Sequence, residues 1–142
     1  MRRFTSRLGA LAATALLALT GTSTAQADGH TEAAYFNLRD VTHSNFIIKL
    51  TDPDKIREAR EIIASGERKI VIGRIETRRA PYNPRWNYHY QSDTVGFTDA
   101  AIEVCDATIP YVEDHLDEVG GAFLPGRVWC PWSGHLTEEV NP

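Results

Sequence analysis

The opening segment limits what the rest of this chain can be. Met1 to Arg7 is short and basic, Leu8 to Thr20 is apolar with small residues between the leucines, and a polar stretch ends in Ala25-Gln26-Ala27. Basic start, apolar centre and small-x-small end are the three parts of a secretory signal peptide. The apolar run falls short of the roughly 20 residues that cross a bilayer. A folded N-terminal helix would bury Leu8, Leu11 and Leu16, yet it gives no reason for the arginines or the Ala-x-Ala end. Residues 1–27 are therefore expected to be a signal peptide, 28–34 a flexible lead-in and 35–142 a single globular domain. No second long apolar run follows, so the expected product is secreted, extracellular and free of the membrane after cleavage.

That division changes the charge and the meaning of the cysteines. Three of the 15 basic residues and none of the 19 acidic ones fall in the first 27, leaving 12 against 19 and a formal charge of -7. An acidic domain lacks the basic surface that phosphate backbones need, which argues against a nucleic-acid partner. With 42% hydrophobic residues, the composition is that of an ordinary globular domain rather than a disordered chain. Cys105 and Cys130 are the only cysteines and allow one pairing. In an oxidising compartment, an even count without Cys-x-x-Cys reads as a framework disulfide rather than a reactive thiol. Closing that loop contributes about 3.5 kcal/mol in the chain-entropy model.

Local patterns supply the expected elements. Tyr35 to Asp40 and Asn45 to Leu50 read as strands joined by a short link, hence a hairpin, with Phe46, Ile48 and Leu50 alternating against Ile47 and Lys49. Thr51-Asp52-Pro53-Asp54 is a helix start with a capping side chain, a proline in the first turn and an acid at the positive dipole end. Ile56, Ala59 and Ile63 give that helix one apolar stripe, and Gly66 is its stop. Lys69 to Thr77 reads as a strand whose Ile70-Val71-Ile72 centre suggests burial on both faces. After the proline-fixed loop Arg78 to Arg85, the stretch Trp86 to Gln91 alternates, with Trp86, Tyr88 and Tyr90 on one side and Asn87, His89 and Gln91 on the other. From Val95 to Gly120-Gly121, the spacing of Phe97, Ala101, Val104, Cys105, Val112, Leu116 and Val119 predicts a helix pair kinked at Pro110. Phe123 to Trp132 is expected to be extended.

Four constellations can carry chemistry. Tyr82, Asn83 and Arg85 in the proline loop, followed by Asn87 and His89, offer directed hydrogen bonds to a polar ligand, whereas Trp86, Tyr88 and Tyr90 are expected in the core. Glu103 with Asp106, and Glu113 with Asp117, share helical faces, the arrangement of paired acid–base carboxylates or simply of solvated surface. His30, His43, His89, His115 and His135 show no metal-ligand spacing, so neither a metal nor a cofactor is expected. Trp129 and Trp132 flank Cys130-Pro131; Trp129 is expected inside, while Trp132 is a candidate stacking surface for sugar or peptide.

The series Ile47-Ile48-Lys49-Leu50-Thr51-Asp52-Pro53, Ile72-Gly73-Arg74-Ile75, Tyr82-Asn83-Pro84-Arg85-Trp86, Ala101-Ile102-Glu103-Val104-Cys105-Asp106, Tyr111 to Glu118 and Trp129-Cys130-Pro131-Trp132 resembles a family of small secreted actinobacterial proteins. That family is named after the N-terminal domain of a slime-mould protein. Members usually carry a longer, Phe-containing strand where this chain has Asn87-Tyr88-His89-Tyr90, and an apolar residue where it has Gly96. The resemblance, over about Tyr35 to Val140, implies a single secreted α+β domain and brings no catalytic residues.

The expected fold is thus α+β, an antiparallel sheet of four to five strands packed by one helix and a kinked helix pair, with one disulfide. The leading functional expectation is a secreted, non-catalytic small binding domain for an extracellular protein or peptide partner, with a protease inhibitor as one version. The candidate binding residues are Tyr82, Asn83, Arg85, Asn87, His89 and Trp132. The alternatives are a carbohydrate or cell-wall polymer binding module using exposed aromatics, and a small secreted hydrolase using His89 or His115 with Glu103.

Overall fold

A computed structural model describes residues 32–142. The expected signal peptide and most of the lead-in lie outside the described residues. β1 (Ala34–Arg39) and β2 (Asn45–Leu50) form the antiparallel hairpin that their alternation predicts, with Phe36 opposite Ile48 and Leu38 opposite Phe46. β2 sends Phe46, Ile48 and Leu50 inward and leaves Asn45 exposed. α1 (Pro53–Ser65) starts where expected: Asp52 accepts hydrogen bonds from the Asp54 and Lys55 N–H groups at 2.8 and 3.3 Å, satisfying donors that the first turn leaves free. It ends at Gly66, whose φ of 72° favours a residue without Cβ. Its buried stripe is Ile56, Ala59 and Ile62, with Ile63 only partly covered.

β3 (Ile70–Glu76) then runs through the centre of a second sheet. Its burial alternates, with Val71, Gly73 and Ile75 inside and Ile70 and Ile72 part-exposed, so the expected two-sided burial is replaced by one buried face. Three short strands pair antiparallel with successive parts of it: β4 (His89–Tyr90) with Ile75–Glu76, β5 (Gly96–Thr98) with Ile70–Ile72, and β6 (Val128–Trp129) with Gly73–Arg74. Gly73 permits this because a Cβ there would sit 3.0 Å from the Tyr90 ring. The last strand, β7 (His135–Val140), is not predicted by the sequence pattern. It pairs antiparallel with β1 and completes a sheet in the order β2-β1-β7.

The expected single sheet of four to five strands is therefore two antiparallel sheets, of three and four strands, and the domain is α+β with sheet predominating. The kinked helix pair is also replaced. Gly96–Thr98 is strand, Glu103–Cys105 is one 3₁₀ turn, and only α2 (Ile109–Asp114) is α-helical. Pro110 begins that helix instead of bending a longer one. The cause is the backbone of β3, whose buried N–H and C=O groups need partners that a helix over Val95 to Val104 cannot supply. Leu116 and Val119 still pack on the core, but from consecutive turns, as when His115 N–H donates to the Val112 carbonyl and Glu118 N–H to that of His115. Phe123 to Trp132 is not extended throughout: Pro125–Arg127 form a 3₁₀ turn entered from Leu124 at φ 46°.

The core joins both sheets and α1. Trp129, fully buried, stacks on Tyr90 at 4.9 Å between ring centres and meets Phe46 and Tyr88 edge-on at 5.2 and 5.4 Å. Its indole N–H donates to the Ala107 carbonyl at 2.9 Å, as a buried polar edge requires. Cys105 and Cys130 form a disulfide that fastens the 3₁₀ turn to the end of β6. Among the described residues no helix is long and apolar enough to cross a membrane.

Asp40, only 3% exposed, holds the hairpin end to α2. Its carboxylate accepts from the Thr42 N–H and hydroxyl through one oxygen and from the Ile109 N–H, at 2.7 Å, through the other. Asp40→Ala strands a buried backbone donor beside Ile109, so a loss of about 2–3 kcal/mol is expected in urea unfolding. A loss below about 1 kcal/mol contradicts this bracing role.

Candidate functional site

The sequence candidates separate into three groups in space. Tyr82 and His89 share an open depression of about 500 Å³ with Lys49, Glu76, Tyr90, Gln91, Ser92 and Asp93. His89 reaches it from β4, where it lies opposite Glu76 on β3, and Tyr82 reaches it from the proline loop. The rings of Tyr82 and His89 meet edge-on at 6.2 Å, and Tyr82 also leans on Tyr35 at 5.4 Å. His89 Nδ1 lies 2.7 Å from the Arg78 carbonyl; because that oxygen can only accept, Nδ1 carries the proton, and Nε2 is the acceptor of the neutral ring. Burial, reinforced by Tyr35 and Glu76, pushes the Tyr82 hydroxyl up to about 12, so it remains a donor at neutral pH. Burial also pushes the Glu76 carboxyl upward. The hydrogen bond and charge of Arg78, with help from Gln91 and His89, outweigh that and leave it below the usual range.

A second group serves the fold. Asn83 is only 2% exposed, and its side-chain oxygen accepts the Ile47 N–H at 3.1 Å while its amide donates to the Tyr88 carbonyl at 3.4 Å. The Trp86 indole donates to the Asn45 carbonyl at 2.7 Å. These two side chains pair β2 backbone groups that no strand partner takes, closing an edge that would otherwise be open. Asn83, expected to bind ligand, has its hydrogen-bonding groups occupied inside the domain. Asn87 is exposed but occupied as well: its N–H and side-chain amide donate to the Glu113 carboxylate, and its oxygen accepts from Arg79 at 3.0 Å. Arg85 is exposed, with its guanidinium 5.9 Å from the Trp86 ring centre.

Trp132 belongs to the third group. It is 45% exposed, and its backbone N–H donates to Asp106 at 2.8 Å. Among the described residues, the other exposed large apolar side chains are Val41, Ile102, Val104 and Tyr111. Hydrogen bonds lace their segments together, from Val41 N–H to Ser133, Ile109 N–H to Asp40, Trp132 N–H to Asp106, and Cys130 N–H to the Cys105 carbonyl. Val41 and Tyr111 line one depression of about 410 Å³ with Asp106, Ala107, Thr108 and Ser133. Ile102 and Val104 stand in and beside the 3₁₀ turn that carries the disulfide. Tyr111 is held by its stack on His115, at 4.0 Å, and by the edge of Phe123. Sequence reasoning missed Val41, Ile102, Val104 and Tyr111 because it placed the 102–111 stretch on a helix with an inward stripe. Their available signal was the density of apolar residues on either side of Cys105-Asp106 in a segment with few helix-starting residues.

The residues considered for catalysis are dispersed among other partners. His89 is bonded to the Arg78 carbonyl, and His115 Nδ1 lies 2.8 Å from the Tyr111 carbonyl. Glu103, expected beside an apolar stripe, is exposed, and among the described residues its side chain makes no hydrogen bond. Among the described residues, no three His, Cys, Asp or Glu side chains converge as metal ligands.

Two antiparallel sheets around one helix, locked by a disulfide that braces an exposed apolar face, define a small α+β domain of rigid build, and the disulfide is consistent with an extracellular protein. A family model described as the BP-74 N-terminal domain matches residues 32–142, and the chain belongs to that family. Comparison with curated proteins and with solved structures finds no match.

Proposed function

We propose that this protein is a secreted, non-catalytic binding domain that engages an extracellular protein or peptide partner through the face of Val41, Ile102, Val104, Tyr111 and Trp132. The observation that carries the reading is the gathering of these side chains in segments fastened by the disulfide and by backbone hydrogen bonds. Large apolar side chains grouped on a monomer surface mark interaction sites, and Trp and Tyr dominate binding energy where they stand among them. Bracing keeps the face in one shape before contact, which lowers the entropy lost on association. Secretion is supported by the three-part opening segment and by the disulfide.

The test is capture from culture medium by the immobilised domain. Wild type is expected to retain a protein, and Trp132→Ala and Tyr111→Ala to weaken retention at least about tenfold without lowering the melting temperature. Retention unchanged in both variants overturns the reading. Its protease-inhibitor version is checked by assays against serine, cysteine and metalloproteases; inactivity against all three removes that version.

The groove of Tyr82 and His89 favours a second reading, a carbohydrate or wall-polymer module, because a half-buried aromatic ring stands there among charged and amide groups able to hold hydroxyls. Polysaccharide pull-down with a Tyr82→Ala control tests it, and equal retention by both proteins counts against it.

A further inference from the structure

A different cleft, of about 440 Å³, opens beside the apolar face and is lined by Arg39, Asp40, Val41, His43, Arg68, Ser133 and His135. Three separate elements build it. Arg39 ends β1 and lies opposite His135 on β7, His43 comes from the β1–β2 turn, and Arg68 comes from the link between α1 and β3. Arg68 donates to His135 Nδ1 at 3.1 Å. Among the described residues, neither Arg39 nor Arg68 enters an ion pair. The only carboxylate in the lining, Asp40, is buried with both oxygens already accepting hydrogen bonds. In a domain whose acids outnumber its bases, two guanidinium groups, two imidazoles and the Ser133 hydroxyl converge on open space with no acid free to meet them.

We propose that this cleft binds the carboxylate of the partner peptide, from an acidic side chain or a chain end, while an apolar side chain next to that carboxylate rests on Val41 and Tyr111. The inference rests on the binding-domain reading of the apolar face, which it extends. Val41 and Ser133 line both depressions, so the cationic and apolar surfaces are continuous. Guanidinium forks match a carboxylate in shape. The charges match it in number. With neutral imidazoles, Arg39, Arg68 and Asp40 leave one net positive charge, equal to one carboxylate, whereas a phosphoryl dianion would leave one negative charge over.

His135 reports the state of the cleft. It faces Arg39 and Asp40 on β1, His43 on the turn and Arg68 on the link, with Glu67, paired to Lys69, at the neighbouring depression. Burial, then the charges of Arg68 and Arg39, hold its imidazole below the ordinary histidine value of 6.5, against a raising hydrogen bond to the Ser133 backbone. The fold therefore favours neutral His135. Stability that depends on it is present above 6.5 and is lost as pH falls from there through the lowered value. In an NMR titration, Arg68→Ala is expected to raise the His135 midpoint; an unchanged or lowered midpoint contradicts the Arg68 contact.

The experiment compares N-acetyl-tryptophan with N-acetyl-tryptophanamide, which keeps the ring and lacks the carboxylate. Binding is followed through the NMR shifts of Val41 and His135 at low ionic strength, where exposed charges are least screened. The acid is expected to bind saturably and at least about tenfold more tightly than the amide, a difference of about 1.4 kcal/mol. Arg39→Ala and Arg68→Ala are each expected to remove that preference, whereas Arg57→Ala on α1 keeps it. Equal binding of acid and amide, no saturable shift with the acid, or tighter binding of inorganic phosphate at neutral pH overturns the inference. If the two arginine variants keep the preference, it is overturned as well. Should Trp132→Ala abolish partner capture while acid and amide bind alike, the binding-domain reading stands and only the carboxylate site falls. Unchanged capture by both apolar-face variants removes the reading itself.

Discussion

Trp129→Ala is expected to cost the domain about 3–5 kcal/mol, the range for truncating a fully buried aromatic. Such a loss is a large part of the roughly 5–15 kcal/mol that holds a typical domain folded. Trp129 is the residue on which the two sheets converge. It is wholly buried, stacks on Tyr90, meets Phe46 from β2 and Tyr88 from the loop before β4, and gives its indole N–H to Ala107. Truncation opens a cavity between the sheets and leaves the Ala107 carbonyl without its donor. Because β6 is only Val128–Trp129, the pairing with Gly73–Arg74 has little else to hold it in place. Urea unfolding followed by far-UV circular dichroism measures the loss, and a value below about 2 kcal/mol contradicts the role assigned to Trp129. Trp129→Phe, which keeps most of the apolar volume but not the N–H donor, is expected to fall between wild type and the alanine variant.

Removing the disulfide is the second large change. In the Cys105→Ser/Cys130→Ser protein, the unfolded chain regains the freedom of a loop closed at a sequence separation of 25, for a cost of about 3.5 kcal/mol. For a domain of this size that is a drop of about 15 °C in melting temperature. The effect reaches function through geometry. Cys105 lies in the 3₁₀ turn beside Ile102 and Val104, and Cys130 precedes Pro131 and Trp132, so the crosslink joins the two segments that present most of the apolar face. Partner capture is expected to weaken in the serine variant below its melting temperature, whereas the remote Asp54–Arg57 pair on α1 should be unaffected. A melting temperature within about 3 °C of wild type contradicts the framework role.

What was legible in the sequence had local causes. Asp52 before Pro53 and Gly66 after Ser65 bounded α1 because capping and left-handed backbone are settled within a few residues. Alternation disclosed β2, and a short link disclosed its hairpin with β1. Two cysteines allowed only one crosslink. The misreadings came from signals that two structures share. The spacing of Phe97, Ala101 and Val104 suits a helix, but β3 needed ladder partners and took Gly96–Thr98 as strand. Asn83 carried the functional groups of a ligand-binding amide, and only the proximity of Ile47 shows that they complete a sheet edge. Trp132 was legible as a candidate surface aromatic, whereas Val41, from a distant turn, was not.

An acidic α+β chain with a bounded helix, a hairpin and a single possible disulfide follows from residue order alone, because propensity, capping and cysteine count act within short stretches. It took the assembled fold to establish that β7 returns to β1, where Asn37 donates to Thr137 at 2.8 Å, that three short strands share β3, and that an apolar face adjoins a cationic cleft. Those arrangements join residues up to 100 positions apart. They are held by burial and hydrogen bonds that arise only when distant segments meet, so no local pattern carries them.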